Sequence, residues 1–114
     1  MKIITKEIER KLLANAEIPE LERQPHLKLF GGGACTWLIS EIVEGDVQSG
    51  KAILFGLADT GIGTPELGYV DLEELLSIKF KPFGLGIERD LYFSPTKTLS
   101  EYASDARNNR AIVA

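Results

Sequence analysis

The 114-residue chain carries 13 Lys and Arg against 17 Asp and Glu, a net charge of −4, with 44% hydrophobic and 26% charged residues. Such a length and composition exclude a disordered or fibrous chain and leave no room for a second core, so residues 1–114 are read as a single domain. The acidic balance disfavours direct nucleic-acid binding, which is driven by phosphate neutralisation with Lys and Arg.

Cys35 is the single cysteine and has no internal disulfide partner. Charges at Lys2, Lys6, Glu7, Glu9, Arg10 and Lys11 interrupt any apolar run of the signal-peptide kind, and together these features predict a cytoplasmic protein. No stretch approaches the roughly 20 apolar residues of a membrane span, so no membrane partner is expected.

The first segment, residues 5–16, reads as a helix capped by Thr5, with Glu7 in its positive first turn and an apolar stripe of Ile8, Leu12 and Leu13. Pro19 closes it. Residues 26–30 alternate as a short strand, Gly31 to Gly33 form a turn, and residues 34–43 make a longer strand rich in Thr, Trp, Ile and Val. A polar connection leads to a third strand at 51–58, which completes an antiparallel meander. Residues 59–68 are dense in Gly and Pro and predict an ordered loop.

Asp71 and Glu74 then stand at capping-box spacing, with Val70 and Leu75 at hydrophobic-staple positions, and predict a helix over 72–78. Pro82, Gly84 and Gly86 mark another loop, followed by an alternating strand at 87–93. Thr98 and Glu101 repeat the capping-box spacing before a last helix to about Arg107, beyond which the tail should fray. The expected fold is α+β: an antiparallel sheet of about four to five strands with two or three helices packed against it, most economically on one face.

Several of these segments occur in one family. Trp37-Leu38, Asp59-x-Gly61-x-Gly63-x-Pro65-Glu66-Leu67-Gly68-Tyr69-Val70, Ile87-Glu88-Arg89-Asp90-Leu91-x-Phe93 and Leu99-x-x-Tyr102-Ala103 together resemble the domain of unknown function 2958, from the first helix to about Arg107. The resemblance implies the company of bacterial plasmids, conjugative elements and phages, and it brings no established chemistry to particular residues. Small proteins of such elements often act by binding, on transfer machinery or on host defence systems. That inference is analogy rather than a site argument.

The residues themselves support little catalytic chemistry. Gly61-x-Gly63 lacks the third glycine of a dinucleotide fingerprint, since Glu66 stands there, and no Gly-Lys-Ser/Thr follows. His26 is the only histidine, and it reads as a solvated strand residue; Cys35, beside Trp37, reads as a small buried hydrophobe. Asp59, Glu66, Glu88 and Asp90 are candidate oxygen ligands for a hard cation in a metal-dependent hydrolase or nuclease, against the blander reading of a wet strand face and an Asp that caps the turn at Gly61.

Arg89 lies between Ile87 and Leu91 on an apolar strand face, where a lone charge is costly, so an ion pair with Asp59 or Glu66 is expected. The alternative is recognition of a carboxylate or phosphate, which would make the chain a small anionic ligand binding module. The leading reading is a non-enzymatic protein-interaction module with no cofactor and no catalytic residue. A protein partner would be met by the 59–68 loop and its neighbours, with Asp59, Glu66, Arg89, Trp37 and Tyr69 as candidate binding residues.

Overall fold

In the computed structural model, which describes residues 3–81 and 83–114, the first helix begins where a hydroxyl can receive a free amide. Thr5 Oγ1 accepts from the Ile8 N–H at 3.2 Å and opens α1 (Lys6–Ala14), with Glu7 and Glu9 at its positive end. The helix is shorter than expected, because Asn15–Glu17 tightens into a 3-10 turn, and a second such turn, Glu20–Glu22, follows Pro19. The loop signal at Pro82 and the charge at Lys2 fall outside the described residues.

The strands β1 (Leu27–Gly31), β2 (Cys35–Asp46) and β3 (Lys51–Asp59) form the expected meander. Gly32 and Gly33 take φ of 63° and 78° in the first hairpin turn, a backbone that residues with a Cβ adopt at a cost. A further strand, β4 (Glu66–Asp71), lies outside β3, and a two-residue strand, β5 (Glu88–Arg89), lies outside β1. The antiparallel order is therefore β4-β3-β2-β1-β5, with β4 and β5 at the two edges.

Two expectations about this sheet need correction. The loop predicted over 59–68 ends at Pro65, because Gly68 and Tyr69 pair with Gly56 and Phe55 and tertiary pairing outweighs the poor strand propensity of glycine. The strand predicted over 87–93 ends at Arg89. Asp90 Oδ1 accepts from the Tyr92 N–H at 2.9 Å, and this turn takes the chain off the sheet, leaving Leu91 and Tyr92 exposed.

The helices cover both faces rather than one. α1 and α2 (Leu72–Leu76) bring Leu12, Leu72 and Leu75 against Leu27, Leu29, Trp37, Ile39 and Leu54. On the opposite face α3 (Leu99–Asn109) packs Leu99, Tyr102, Ala103 and Ala106 over Leu38 and Leu57. Alternate residues of β2 and β3 are apolar on both sides, so a single layer of helices would leave one side wet. Both arms of the Thr98/Glu101 capping box are formed, while Asp71 caps α2 by accepting from the Glu73 and Glu74 amides.

The tail after α3 is tied down instead of frayed. Arg110 takes a left-handed φ of 58° as the helix cap, and the Ala111 N–H reaches the Ala106 carbonyl at 3.1 Å. Beyond it, the Ile112 N–H donates to Asp59 and the Lys28 ammonium donates to the Ala114 carbonyl oxygen. β2 itself is irregular at Ser40, which has no partner in the β3 register; its carbonyl accepts instead from the buried Asn15 side chain at 2.8 Å.

Candidate functional site

One transverse row of the sheet fixes where the charged candidates stand. Arg89 pairs with Leu29, Leu29 with Trp37, Trp37 with Ala58 and Ala58 with Glu66, so all five side chains share the α1/α2 face. The row has charges only at its ends, which four strand spacings hold about 19 Å apart. The expected ion pair of Arg89 with Glu66 or Asp59 is therefore not formed, and Arg89 makes no ion pair among the described residues. Its buried Nε meets no hydrogen-bond acceptor.

Asp59 is committed elsewhere. It is 4% exposed, and its oxygens accept from the Gly61 N–H at 2.8 Å and the Ile112 N–H at 3.0 Å. The first of these is the turn cap that an Asp before Gly suggests, and Gly61 has φ of 85° with the Ala34 side chain too close for a Cβ.

The carboxylates of the metal alternative do not converge. Glu88 pairs with Phe30, Phe30 with Thr36 and Thr36 with Asp59, so Glu88 and Asp59 stand about 14 Å apart by strand spacing. Glu66 is on the opposite face, opposed to Ala58, and Asp90 contacts the Lys28 ammonium at 3.4 Å. Among the described residues no group of three or more His, Cys, Asp or Glu side chains is placed to hold a metal ion.

Trp37 and Tyr69 both line a groove beside β4, and Glu66, at the start of that strand, is not part of its wall. The groove, of about 410 Å³, lies on the α2 side, walled by Trp37, Ala58, Val70, Leu75 and Ile78, with Asp71 and Glu74 at one end. Trp37 is a buried part of its floor, whereas Tyr69 is 75% exposed. The Tyr69 ring turns to the other face, where it meets Phe55 edge-on at 5.6 Å, beside the exposed Leu67. Between these walls, Gly68 has nothing within 4 Å of where a Cβ would stand.

The opposite edge holds a cluster not singled out by sequence reasoning. The Asp90 N–H makes a last backbone bond to β1, at the Lys28 carbonyl (3.0 Å), and beside it residues 90–95 and the start of β1 border a cavity of about 200 Å³. Lys11, His26, Lys28 and Arg89 line it. His26 is half-buried rather than solvated; burial lowers its pKa below the ordinary value, and the Lys11 charge lowers it further. His26 and Lys28 are two residues apart, but no spacing rule joins that pair to Lys11 or Arg89.

The surroundings of Cys35 disfavour its thiolate: burial raises the thiol pKa, the Asp59 charge adds to that, and Sγ lies 3.7 Å from the Thr60 carbonyl oxygen. No helix among the described residues is long and apolar enough to cross a membrane. A protein-family model described as "Protein of unknown function (DUF2958)" matches residues 3–113. No curated protein and no solved structure matches the chain.

Proposed function

The chain belongs to the DUF2958 family of proteins of unknown function, and from that premise we propose that it is a non-enzymatic protein-interaction module that receives an extended segment of a partner along β4. The observation that carries this reading is the open edge itself. β4 pairs with β3 without a register shift, has no neighbouring strand on its other side among the described residues, and contains neither Lys nor Pro nor a bulge to blunt it. An added strand would satisfy its outward backbone groups and alternate its side chains between the groove over Gly68 and the apolar surface of Leu67 and Tyr69.

The charges select the occupant. An acidic segment would be repelled by Glu66 and Asp71 at the two ends of β4 and by Glu74 just beyond them. A segment with Lys or Arg at its ends and apolar residues between would instead meet Glu66, Asp71 and Glu74. A glycine inside a strand, with open space above it, suits the close approach of another chain. A cytoplasmic role in maintaining a mobile element or antagonising host defence is part of this proposal and rests on the family resemblance alone.

Panning the full chain against a displayed library of random nine-residue peptides tests the reading. Enriched peptides should carry Lys or Arg toward their ends with apolar residues between, and both Gly68→Leu, which fills the groove, and Tyr69→Ala should weaken them at least about tenfold. Enrichment without that pattern, or binding indifferent to both substitutions, would remove β4 from consideration.

A further inference from the structure

The cavity at the β1/β5 edge lies at the far end of the transverse row from β4, and its contents call for a different partner. Of the side chains that line it, Lys11, Lys28 and Arg89 are cationic and Asp90 is the one carboxylate, which leaves two positive charges in excess. Asp90 makes no ion pair with Arg89; one of its oxygens is 3.4 Å from the Lys28 ammonium and the other accepts the Tyr92 N–H. Lys11 reaches Glu7 at 3.6 Å, but that pair is solvent-exposed and holds it weakly.

Arg89 is the unusual member. A guanidinium N–H that loses water without gaining an acceptor destabilises the fold, and here the Nε is buried with no acceptor among the described residues. Arg89 also lines the cavity with no carboxylate paired to it among the described residues, so an oxyanion entering there would meet an uncompensated guanidinium. A planar guanidinium with ammonium groups beside it is the arrangement that recognises phosphoryl oxygens.

We propose that this cavity is a binding site for a dianionic phosphoryl group, held by Arg89 and Lys11 while Lys28 stays engaged with Asp90 and the Ala114 carbonyl oxygen, and that its ligand is a small phosphate monoester. Two excess positive charges match a dianion better than a carboxylate. The cavity volume of about 200 Å³ exceeds what one phosphoryl group needs, and Ile8, Leu27 and Phe93 line the remainder with apolar surface on which an organic substituent would rest. This site shares no residue with the β4 groove, so either proposal stands or falls alone.

His26 lines the same cavity and is the only histidine in the chain, so its ring resonances report on the site without ambiguity. In an NMR titration of the full chain at constant ionic strength, phenyl phosphate should shift those resonances saturably. Orthophosphate should do so more weakly and acetate not at all. Arg89→Gln should weaken phenyl phosphate binding about tenfold or more, as expected for loss of a charge-assisted contact.

Equal response to orthophosphate and phenyl phosphate would remove the monoester and leave a free-phosphate site, overturning the ligand assignment. A non-saturating shift, or one unchanged in Arg89→Gln, would overturn the site. Should Arg89→Gln unfold, Lys11→Gln at the exposed rim serves in its place, and an unaltered affinity there would overturn the proposal equally.

Discussion

A carboxylate oxygen of Asp59 accepts the main-chain N–H of Ile112 at 3.0 Å, which joins the end of β3 to the segment after α3. The second oxygen holds the Gly61 amide, so one buried side chain fixes both the β3–β4 loop and the C-terminal tail. Asp59→Ala should cost roughly 2–4 kcal/mol by urea denaturation, because two amides lose a charged acceptor. Asp59→Asn, which keeps one acceptor oxygen, should cost less. Amide exchange at Ile112 should accelerate in both, and unchanged exchange would refute the clamp.

Asn15 performs the corresponding task for the irregularity in β2. Its side-chain amide donates to the Gln24 carbonyl at 2.9 Å and to the Ser40 carbonyl at 2.8 Å, the latter freed from the ladder where the register slips. Asn15→Leu keeps the volume and removes both donors, and should lower stability by roughly 2–3 kcal/mol. Asn15→Asp should be worse near neutral pH, since a carboxylate would then face two carbonyl oxygens. Thermal melts of the two variants check the order.

Gly56 and Gly68 oppose each other across β3 and β4, yet their substitutions should differ in sign. A Cβ on Gly56 would lie 2.0 Å from the Leu38 carbonyl oxygen, a backbone atom that cannot turn aside, whereas one on Gly68 meets nothing within 4 Å. Gly56→Ala should therefore destabilise by roughly 1–3 kcal/mol. Gly68 has no left-handed φ, so Gly68→Ala should stabilise by about 0.5 kcal/mol through the unfolded chain. Paired urea curves decide it. A loss at Gly68 would mean that the fold, rather than an incoming chain, requires the glycine.

Local signals were legible in the sequence where one or two neighbouring residues decide the outcome. Thr98 with Glu101, Thr5 before α1, Asp71 before α2 and Asp59 before Gly61 all make the bonds that their spacing predicts. Position across the sheet was not legible. Arg89 and Glu66 are 23 residues apart along the chain, but their separation in space depends on which strands flank the meander, and local chemistry says nothing of that. β4 was hidden for a related reason: its strand character comes from Phe55 and Leu57 of β3 opposite it. The alternation over 87–93 misled because Asp90 can end a strand by bonding its own backbone two residues on.

Cys35 should react slowly with a disulfide reagent at mildly alkaline pH compared with the same thiol in the urea-unfolded chain. Burial and the Asp59 charge both disfavour the thiolate, which is the reacting species. Asp59→Asn should raise the rate by removing that charge. A native thiol as fast as the unfolded one would contradict the surroundings described for it.

His26 should make folding weaker in mild acid. Its folded pKa lies below its ordinary value, first because the ring is partly buried and then because Lys11 on α1 faces it; Lys28, Arg89 and Asp90 line the same cavity. The unfolded chain thus takes up a proton on this ring at a higher pH than the native one, and stability must fall as the pH drops through about 6.5 toward the folded pKa. Above that window the residue contributes no slope. Carboxylates titrate nearby, so the measurement is a difference: urea midpoints at pH 7.5 and pH 5.5 for the native chain and for His26→Gln, roughly bracketing the ordinary histidine pKa. The native chain should lose more stability than the variant between the two. Saturating phenyl phosphate should narrow that gap, because a bound dianion would offset the positive charges that oppose protonation of the ring.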